Sequence, residues 1–216
     1  MKKRIISTLV VLALLFSMLI GCMFSGGDDD ANLNIIDDNY RNYYEIFVGS
    51  FYDSDGDGMG DLNGVTEKLD YITDLGCNGI WLMPIMPSPT YHKYDVEDYE
   101  NVDSAYGTAE DFKKLVDACH EKGIRLVIDL VMNHSSSKHP WFTQACEYLA
   151  GLKDGEQPDL SVCPYAGYYN FSNEKVSQTY YQVPGTTNWW YEGSFWSEMP
   201  DLNMENDAVR KEFENI

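Results

Sequence analysis

Ile124-Arg125-Leu126-Val127-Ile128-Asp129-Leu130-Val131-Met132-Asn133-His134 is the stretch that decides how this chain folds. From Ile124 to Val131 it is apolar at nearly every position, the exceptions being Arg125 and Asp129. Strands buried on both faces read this way, and they belong to parallel sheets covered by helices. Asp129 interrupts the run, and a carboxylate removed from water is costly unless it has partners. An Asn-His pair alone has an ordinary packing explanation. Following an Asp inside a buried strand, at its C-terminal end, the pair points instead to the face where parallel α/β folds build their sites.

Working outward, Gly79-Ile80-Trp81-Leu82-Met83 is a second buried strand stopped by Pro84, and Tyr43-Tyr44-Glu45-Ile46-Phe47-Val48 is a first. Between these two, Val65, Leu69, Ile72 and Leu75 recur at helical spacing, and Gly76 stands where a C-cap is wanted. Between the second and third, Thr108 is an N-cap, Phe112, Leu115, Val116 and Cys119 form an apolar stripe, and Gly123 closes the helix. The order strand, helix, strand, helix, strand predicts a parallel sheet with helices outside. It does not by itself choose between a doubly wound sheet and a closed barrel.

Beyond Ser135 the character changes to Tyr, Trp, Gly, Asn and Ser without sustained periodicity, which predicts an inserted domain over 135–198. Asn206 then caps a helix running through Val209 and Phe213. That pattern reaches Ile216 with neither a C-cap nor a following strand, so the fold is expected to continue past this residue.

Asp53-Ser54-Asp55-Gly56-Asp57-Gly58-Met59-Gly60-Asp61 alternates carboxylates with glycines, a spacing that lets a loop wrap its oxygens round one hard cation. Asp53, Asp55, Asp57 and Asp61 are the candidate side-chain ligands, Met59 offers its main-chain carbonyl, and Ca²⁺ is the expected ion. An EF-hand would need a bidentate Glu where Gly64 stands, so this is a different loop. As a plain solvated turn it would hold four like charges that repel unless neutralised.

The run Asp129-Leu130-Val131-Met132-Asn133-His134 closing a strand resembles the first signature region of the α-amylase family of glycoside hydrolases. Gly60-Asp61-Leu62-Asn63-Gly64, Gly79-Ile80-Trp81-Leu82-Met83-Pro84, Tyr94-Asp95-Val96-Glu97-Asp98-Tyr99 and Met199-Pro200-Asp201-Leu202-Asn203 are similar to further motifs of that family, in family order. The resemblance spans Tyr43 to the C-terminus. It implies a (β/α)8 TIM barrel with a B domain inserted after strand 3. Residues 40–134 would be the first part of the barrel, 135–198 the B domain and 199–216 the return to the barrel. Ile46, Val48, Ile80, Leu82, Val127 and Leu130 are expected to face the barrel interior.

The same resemblance implies retaining cleavage of α-glucosidic bonds in starch-like glucans or maltooligosaccharides. In that chemistry two carboxyl groups about 5–5.5 Å apart serve as nucleophile and acid/base. The family carries them on later strands, so no catalytic carboxylate is expected up to Ile216, and the chain alone is expected to be inactive and unstable as a monomer. The residues that carry over are Tyr94 as the sugar-stacking platform, His134 as hydrogen-bond donor to the same sugar, and Asp129 and Asn133 as supports. Lys93 stands where many relatives have Gly, which alters the floor of that subsite. Trp189-Trp190-Tyr191 and Phe195-Trp196, with Tyr168, Tyr169, Tyr180 and Tyr181, resemble the aromatic B domains of lipid-anchored bacterial α-amylases, with some rings packing and some touching glucan. Neopullulanase, α-glucosidase and glucanotransferase are alternatives within the family. A non-catalytic surface glucan-binding lipoprotein is the alternative from another class.

The first residues speak to location. Lys2, Lys3 and Arg4 precede an apolar run from Ile5 to Ile20, the layout of a secretory signal over 1–21. The run is short for a membrane span, which needs about 20 apolar residues. Leu19-Ile20-Gly21-Cys22 resembles a bacterial lipobox, which makes Cys22 the acylated mature N-terminus, with 22–39 as a flexible tether. The expected location is the cell surface, anchored in the membrane through lipid. A net charge of −20 argues against nucleic acid as a partner and is compatible with a neutral glucan and bound cations. Cys77, Cys119, Cys146 and Cys163 match neither zinc spacing nor a disulfide framework; a bridge between Cys146 and Cys163 is open in an oxidising compartment.

Overall fold

The computed structural model describes residues 38–216. The signal segment expected at 1–21, Cys22 and all but the end of the expected tether lie outside the described residues. Among the described residues no helix is long and apolar enough to cross a membrane.

Three short strands, β1 (Tyr43–Ile46), β2 (Gly79–Leu82) and β3 (Arg125–Ile128), form a parallel sheet in the order β1-β2-β3. Each regular strand is shorter than its apolar run. Pairing nevertheless continues beyond their ends, from the Met83 N–H to the Ile46 carbonyl at 3.0 Å and from the Asp129 N–H to the Leu82 carbonyl at 2.9 Å. The chain then leaves the sheet with Asp129, Asn133 and His134 gathered at its C-terminal end.

The two faces of the sheet differ. Ile46, Ile80 and Leu82 are buried to 1% exposure or less, packed in one core with Leu62, Val65, Leu69, Ile72 and Leu115 of the helices. Glu45, Trp81 and Val127 lie opposite one another across the strands, and Trp81 and Val127 remain about two-fifths exposed, at 42% and 41%. Placing Ile46, Val48, Ile80 and Leu82 on the open interior face is therefore corrected. Successive side chains alternate across a strand, and it is the residues between them that face the helix-free side. Val127 does face that side, and Leu130 is half-buried against the core.

The helices are α1 (Leu62–Glu67), α2 (Leu69–Asp74), α3 (Ala109–Glu121), α4 (Pro140–Ala150) and α5 (Asp207–Asn215). The single helix expected from Val65 to Leu75 is broken at Lys68, whose ψ of 9° leaves the helical range and whose ammonium sits 3.7 Å over the Tyr52 ring. Gly76, at φ 82°, ends α2 as expected: its N–H bonds the Thr73 carbonyl and the Cys77 N–H bonds that of Ile72. In α3 Thr108 and Asp111 cap each other reciprocally, an arrangement contributing about 1 kcal/mol. Gly123, at φ 69°, ends that helix in the same manner as Gly76.

Residues 135–198 are less irregular than their composition implies. They contain α4, where Phe142, Ala145, Cys146 and Leu149 make a buried stripe, and a small antiparallel sheet. Its strands, β4 (Phe171–Ser172), β5 (Tyr180–Gln182) and β6 (Trp190–Glu192), lie in the order β4-β6-β5. The excursion closes on itself at its neck. Leu202 N–H bonds the Asn133 carbonyl at 2.8 Å and Ser135 N–H that of Pro200 at 3.2 Å, so departing and returning chain run side by side.

Candidate active-site face

Asp129 follows β3 directly, and its Oδ2 accepts the Tyr94 hydroxyl at 2.9 Å. Tyr94 arrives from the long loop after β2. Burial, and then the bond to Asp129, push its phenol up to about 12, so the hydroxyl stays protonated and donating near neutral pH. The bond holds the far end of the ring. Its near end is set by the main chain, where the Tyr94 N–H donates to His92 Nδ1 at 3.1 Å.

His134 is 4% exposed, and its Nε2 makes no hydrogen bond of normal geometry. Burial lowers its pKa, opposed by the nearby Asp201 carboxylate and the Tyr94 main chain, so the ring is neutral at pH 7. Asn133 links the group: its Nδ2 lies 3.3 Å from His134 Nδ1 and donates to Asp201 Oδ1 at 3.3 Å. Asp201 also accepts the Ser194 N–H at 3.2 Å and the Ser194 hydroxyl. The Phe195 ring stands 5.1 Å from His134 and is itself 70% exposed. Tyr94, Asp129, Asn133 and His134 are thus brought together as a polar patch edged by an open aromatic ring.

Two features of this patch escape a residue-by-residue reading. Asp201 lies far along the chain, and only the pairing of the neck brings it to Asn133. Lys93 adopts φ 66°, and its Nζ reaches Asp103 Oδ2 at 2.6 Å beneath the surface. The motif containing Asp201 and the unusual lysine were both visible in sequence; their partners were not. Asp95 is buried beside them, accepting Ser88 Oγ at 2.7 Å and the Thr90 hydroxyl.

The acidic loop is organised before any ion is considered. Asp53 accepts the N–H groups of Gly56 and Gly58 at 2.6 and 2.8 Å, and these bonds lower its pKa. Gly56 and Gly58 have φ of 83° and 95°, which side-chain-bearing residues rarely adopt. Asp61 caps α1 through the Gly64 N–H at 2.7 Å. One carboxylate oxygen from each of Asp53, Asp55 and Asp61 lies within 4.8 Å of the others. Oxygens about 2.3–2.6 Å from a shared Ca²⁺ would be no farther apart than about 5 Å, so these three fit one hard cation. Asp57, the fourth expected side-chain ligand, lies outside this group of three. Its Oδ1 accepts the Met59 N–H at 2.7 Å, a local turn bond of the kind Asp53, Asp55 and Asp61 also make.

The aromatic residues divide. Tyr168, Tyr169, Trp189 and Tyr191 are at most 5% exposed and pack the small subdomain, whereas Phe195 and Trp196 are 70% and 47% exposed. The four described cysteines are free thiols; Cys119, Cys146 and Cys163 are buried and Cys77 half-buried, and burial pushes the Cys119 and Cys146 thiols up to about 12.

A family model for the alpha-amylase catalytic domain matches residues 45–216. The chain is 47% identical over 182 residues to Alpha-amylase 3 of Dictyoglomus thermophilum, covering 82% of this chain and 34% of that protein. It is 38% identical over 182 residues to an oligo-1,6-glucosidase of Heyndrickxia coagulans, covering 78% of this chain and 31% of that protein. Among solved structures it is similar to Eubacterium rectale Amy13B, with a TM-score of 0.81 and 58% identity over 84% of this chain and 35% of the other. The chain spans about a third of the length of each of these relatives.

Proposed function

The chain belongs to the α-amylase family and has the fold of that family's catalytic domain, and from this we propose that its protein cleaves α-glucosidic bonds of starch-like glucans or maltooligosaccharides with retention of configuration. The observation that carries the proposal is the Tyr94–Asp129 bond beside a buried neutral His134, all at the C-terminal end of a parallel sheet. Active sites of barrel enzymes are built on that end.

Each residue has a role that its geometry suits. The Tyr94 ring offers a flat apolar face to the C–H side of a glucose residue, while its hydroxyl is held by Asp129. His134 is the proposed hydrogen-bond donor to a hydroxyl of the same sugar, although its Nε2, which has no hydrogen bond of normal geometry, is covered by protein in this structure. Asn133 and Asp201 keep that imidazole in place. Asp129 has one carboxylate oxygen committed to Tyr94 and acts as a support, so neither nucleophile nor acid/base is assigned to it. The expected carboxyl pair of the retaining reaction would come from strands after those described.

Asp53, Asp55 and Asp61, with the Met59 carbonyl, would hold Ca²⁺. A bound ion would offset half of the loop's four negative charges and fix it at the start of α1. The Cys22 anchor and display at the cell surface are part of the same proposal, motivated by the Leu19-Ile20-Gly21-Cys22 run; unchanged membrane fractionation of Cys22→Ser would remove the anchor.

The test is to incubate the full-length protein with maltoheptaose, starch, pullulan and isomaltose while following reducing ends and the anomeric configuration of the product. Release of α-configured products is the expected result. The substrate panel separates α-amylase action from the activity named for the oligo-1,6-glucosidase relative. Binding of maltoheptaose without any cleavage would instead favour a non-catalytic glucan-binding lipoprotein.

A further inference from the structure

Among the described residues Lys93 is the only non-glycine with a positive φ, at 66°. A glycine would take that left-handed conformation without steric penalty, so the backbone alone does not call for a lysine. The side chain has a defined destination. Its Nζ meets Asp103 Oδ2 at 2.6 Å, both side chains are 12% exposed, and the ammonium lies 5.3 Å from the centre of the Tyr106 ring. A pair withdrawn from water in this way is screened little by salt.

Asp103 and Tyr106 are themselves fixed. The Asp103 N–H bonds the Ile85 carbonyl just after β2 at 2.8 Å, and its Oδ1 accepts the Ala105 N–H at 2.9 Å. Tyr106 N–H bonds the Asp103 carbonyl at 2.8 Å, and the Tyr106 carbonyl accepts the Leu62 N–H at the start of α1 at 2.9 Å. Lys93 therefore ties the main chain immediately before Tyr94 to a segment anchored in both sheet and helix. The hydroxyl on Asp129 and the N–H on His92 Nδ1 hold two ends of Tyr94 and leave the ring free to turn about the line between them. With the chain at 93 also fixed, its plane is defined, and a defined plane is what stacking on a sugar face requires.

We propose that Lys93 is a positioning residue: its ion pair with Asp103, closed under the Tyr106 ring, sets the plane of Tyr94 against a bound glucose residue. The inference rests on the reading of Tyr94 as a sugar platform given above. Nζ is engaged by Asp103, so Lys93 acts through Tyr94 and makes no sugar contact of its own.

The test uses the full-length protein with maltoheptaose, measuring kcat, KM and thermal melting for Lys93→Met, Lys93→Arg, Asp103→Asn and the Lys93→Met/Asp103→Asn double variant. Lys93→Met and Asp103→Asn should each raise KM about five- to tenfold with a smaller change in kcat. Lys93→Arg, which keeps the charge, should stay within about twofold of the parent, and the double variant should be no worse than either single one. A purely structural role would lower the melting temperature and the active fraction while leaving KM alone, and that outcome overturns the proposal. If Lys93→Met does not fold, Asp103→Asn decides on the same terms. A parent protein that neither binds nor cleaves maltoheptaose would remove the sugar-platform reading and this inference with it, whereas an active parent with unchanged KM in the variants removes the Lys93 role alone.

Discussion

Gly64 and His139 show how much rests on single positions away from the polar patch. A Cβ at Gly64 would stand 2.0 Å from the Tyr52 carbonyl oxygen, and one at Gly60 2.1 Å from that of Val48. The helix start and the loop after β1 touch backbone to backbone, and neither can retreat without opening the acidic loop. We expect Gly64→Ala to destabilise the fold by about 3 kcal/mol, read as a fall in the urea midpoint; an unchanged midpoint would show that the loop gives way freely. His139 is 4% exposed and caps α4 by accepting the Trp141 N–H at its Nδ1, 3.1 Å away. Burial lowers its pKa to about 4, with Asp98 opposing. Its folded value lies below the ordinary value of about 6.5, so between these the unfolded chain binds the proton and the folded chain does not. The contribution is fully present above about pH 6.5 and is lost as pH falls towards 4, roughly 3 kcal/mol across the window. His139→Asn keeps a capping acceptor and removes the titration. Its stability, followed by melts at a series of pH values, should fall less steeply on acidification than the parent's, and equal slopes would reassign the effect.

The acidic loop is the element whose behaviour is most open to direct measurement. Its local bonds to Asp53, Asp57 and Asp61 preform the turn, and only Asp53, Asp55 and Asp61 converge. Calorimetric titration of Ca²⁺ into the full-length protein should therefore show binding abolished in the Asp53→Ala/Asp55→Ala double variant. Asp57→Ala should retain binding, with affinity within about tenfold, because that carboxylate bonds the Met59 N–H and lies outside the cluster. Equal losses in both variants would show that Asp57 is a ligand despite its place outside the cluster. The helix α4 offers a different lesson about elements. Pro140 at its start and the stripe Phe142, Ala145, Cys146 and Leu149 are ordinary helix signals, hidden only because the surrounding sixty-odd residues are rich in Tyr, Gly and Asn.

For the whole described molecule the open side of the parallel sheet sets the behaviour. On that side Trp81 and Val127 are 42% and 41% exposed; Ile128 on the other face and Met132 past the strand are 36% and 41% exposed, and β3 has no neighbour on its outer edge among the described residues. Unpaired strand edges and contiguous apolar faces invite association. Residues 38–216 expressed by themselves should self-associate in sedimentation runs and bind a hydrophobic dye. A monodisperse monomer with a cooperative urea transition would show that the open face is tolerated.

The amino-acid pattern by itself determined what depends on neighbours in the chain. The capping box at Thr108 and Asp111, the left-handed glycines 76 and 123, and the existence of the three parallel strands all follow from spacings within a few residues, where sterics and hydrogen bonding leave few choices, although β3 is more exposed than its apolar run implies. The acidic loop was legible for the same reason, since its carboxylates are contiguous in the chain, although which of them converge was not. Tertiary structure alone decided the rest. Tyr94 meets Asp129 across 35 residues and Asn133 meets Asp201 across 68, and Lys93 finds its pair in Asp103. The side of the sheet that is buried was likewise settled by which helices cover it. A one-residue change of face looks identical in an apolar run, because the sequence records how hydrophobic each residue is and not what lies across from it.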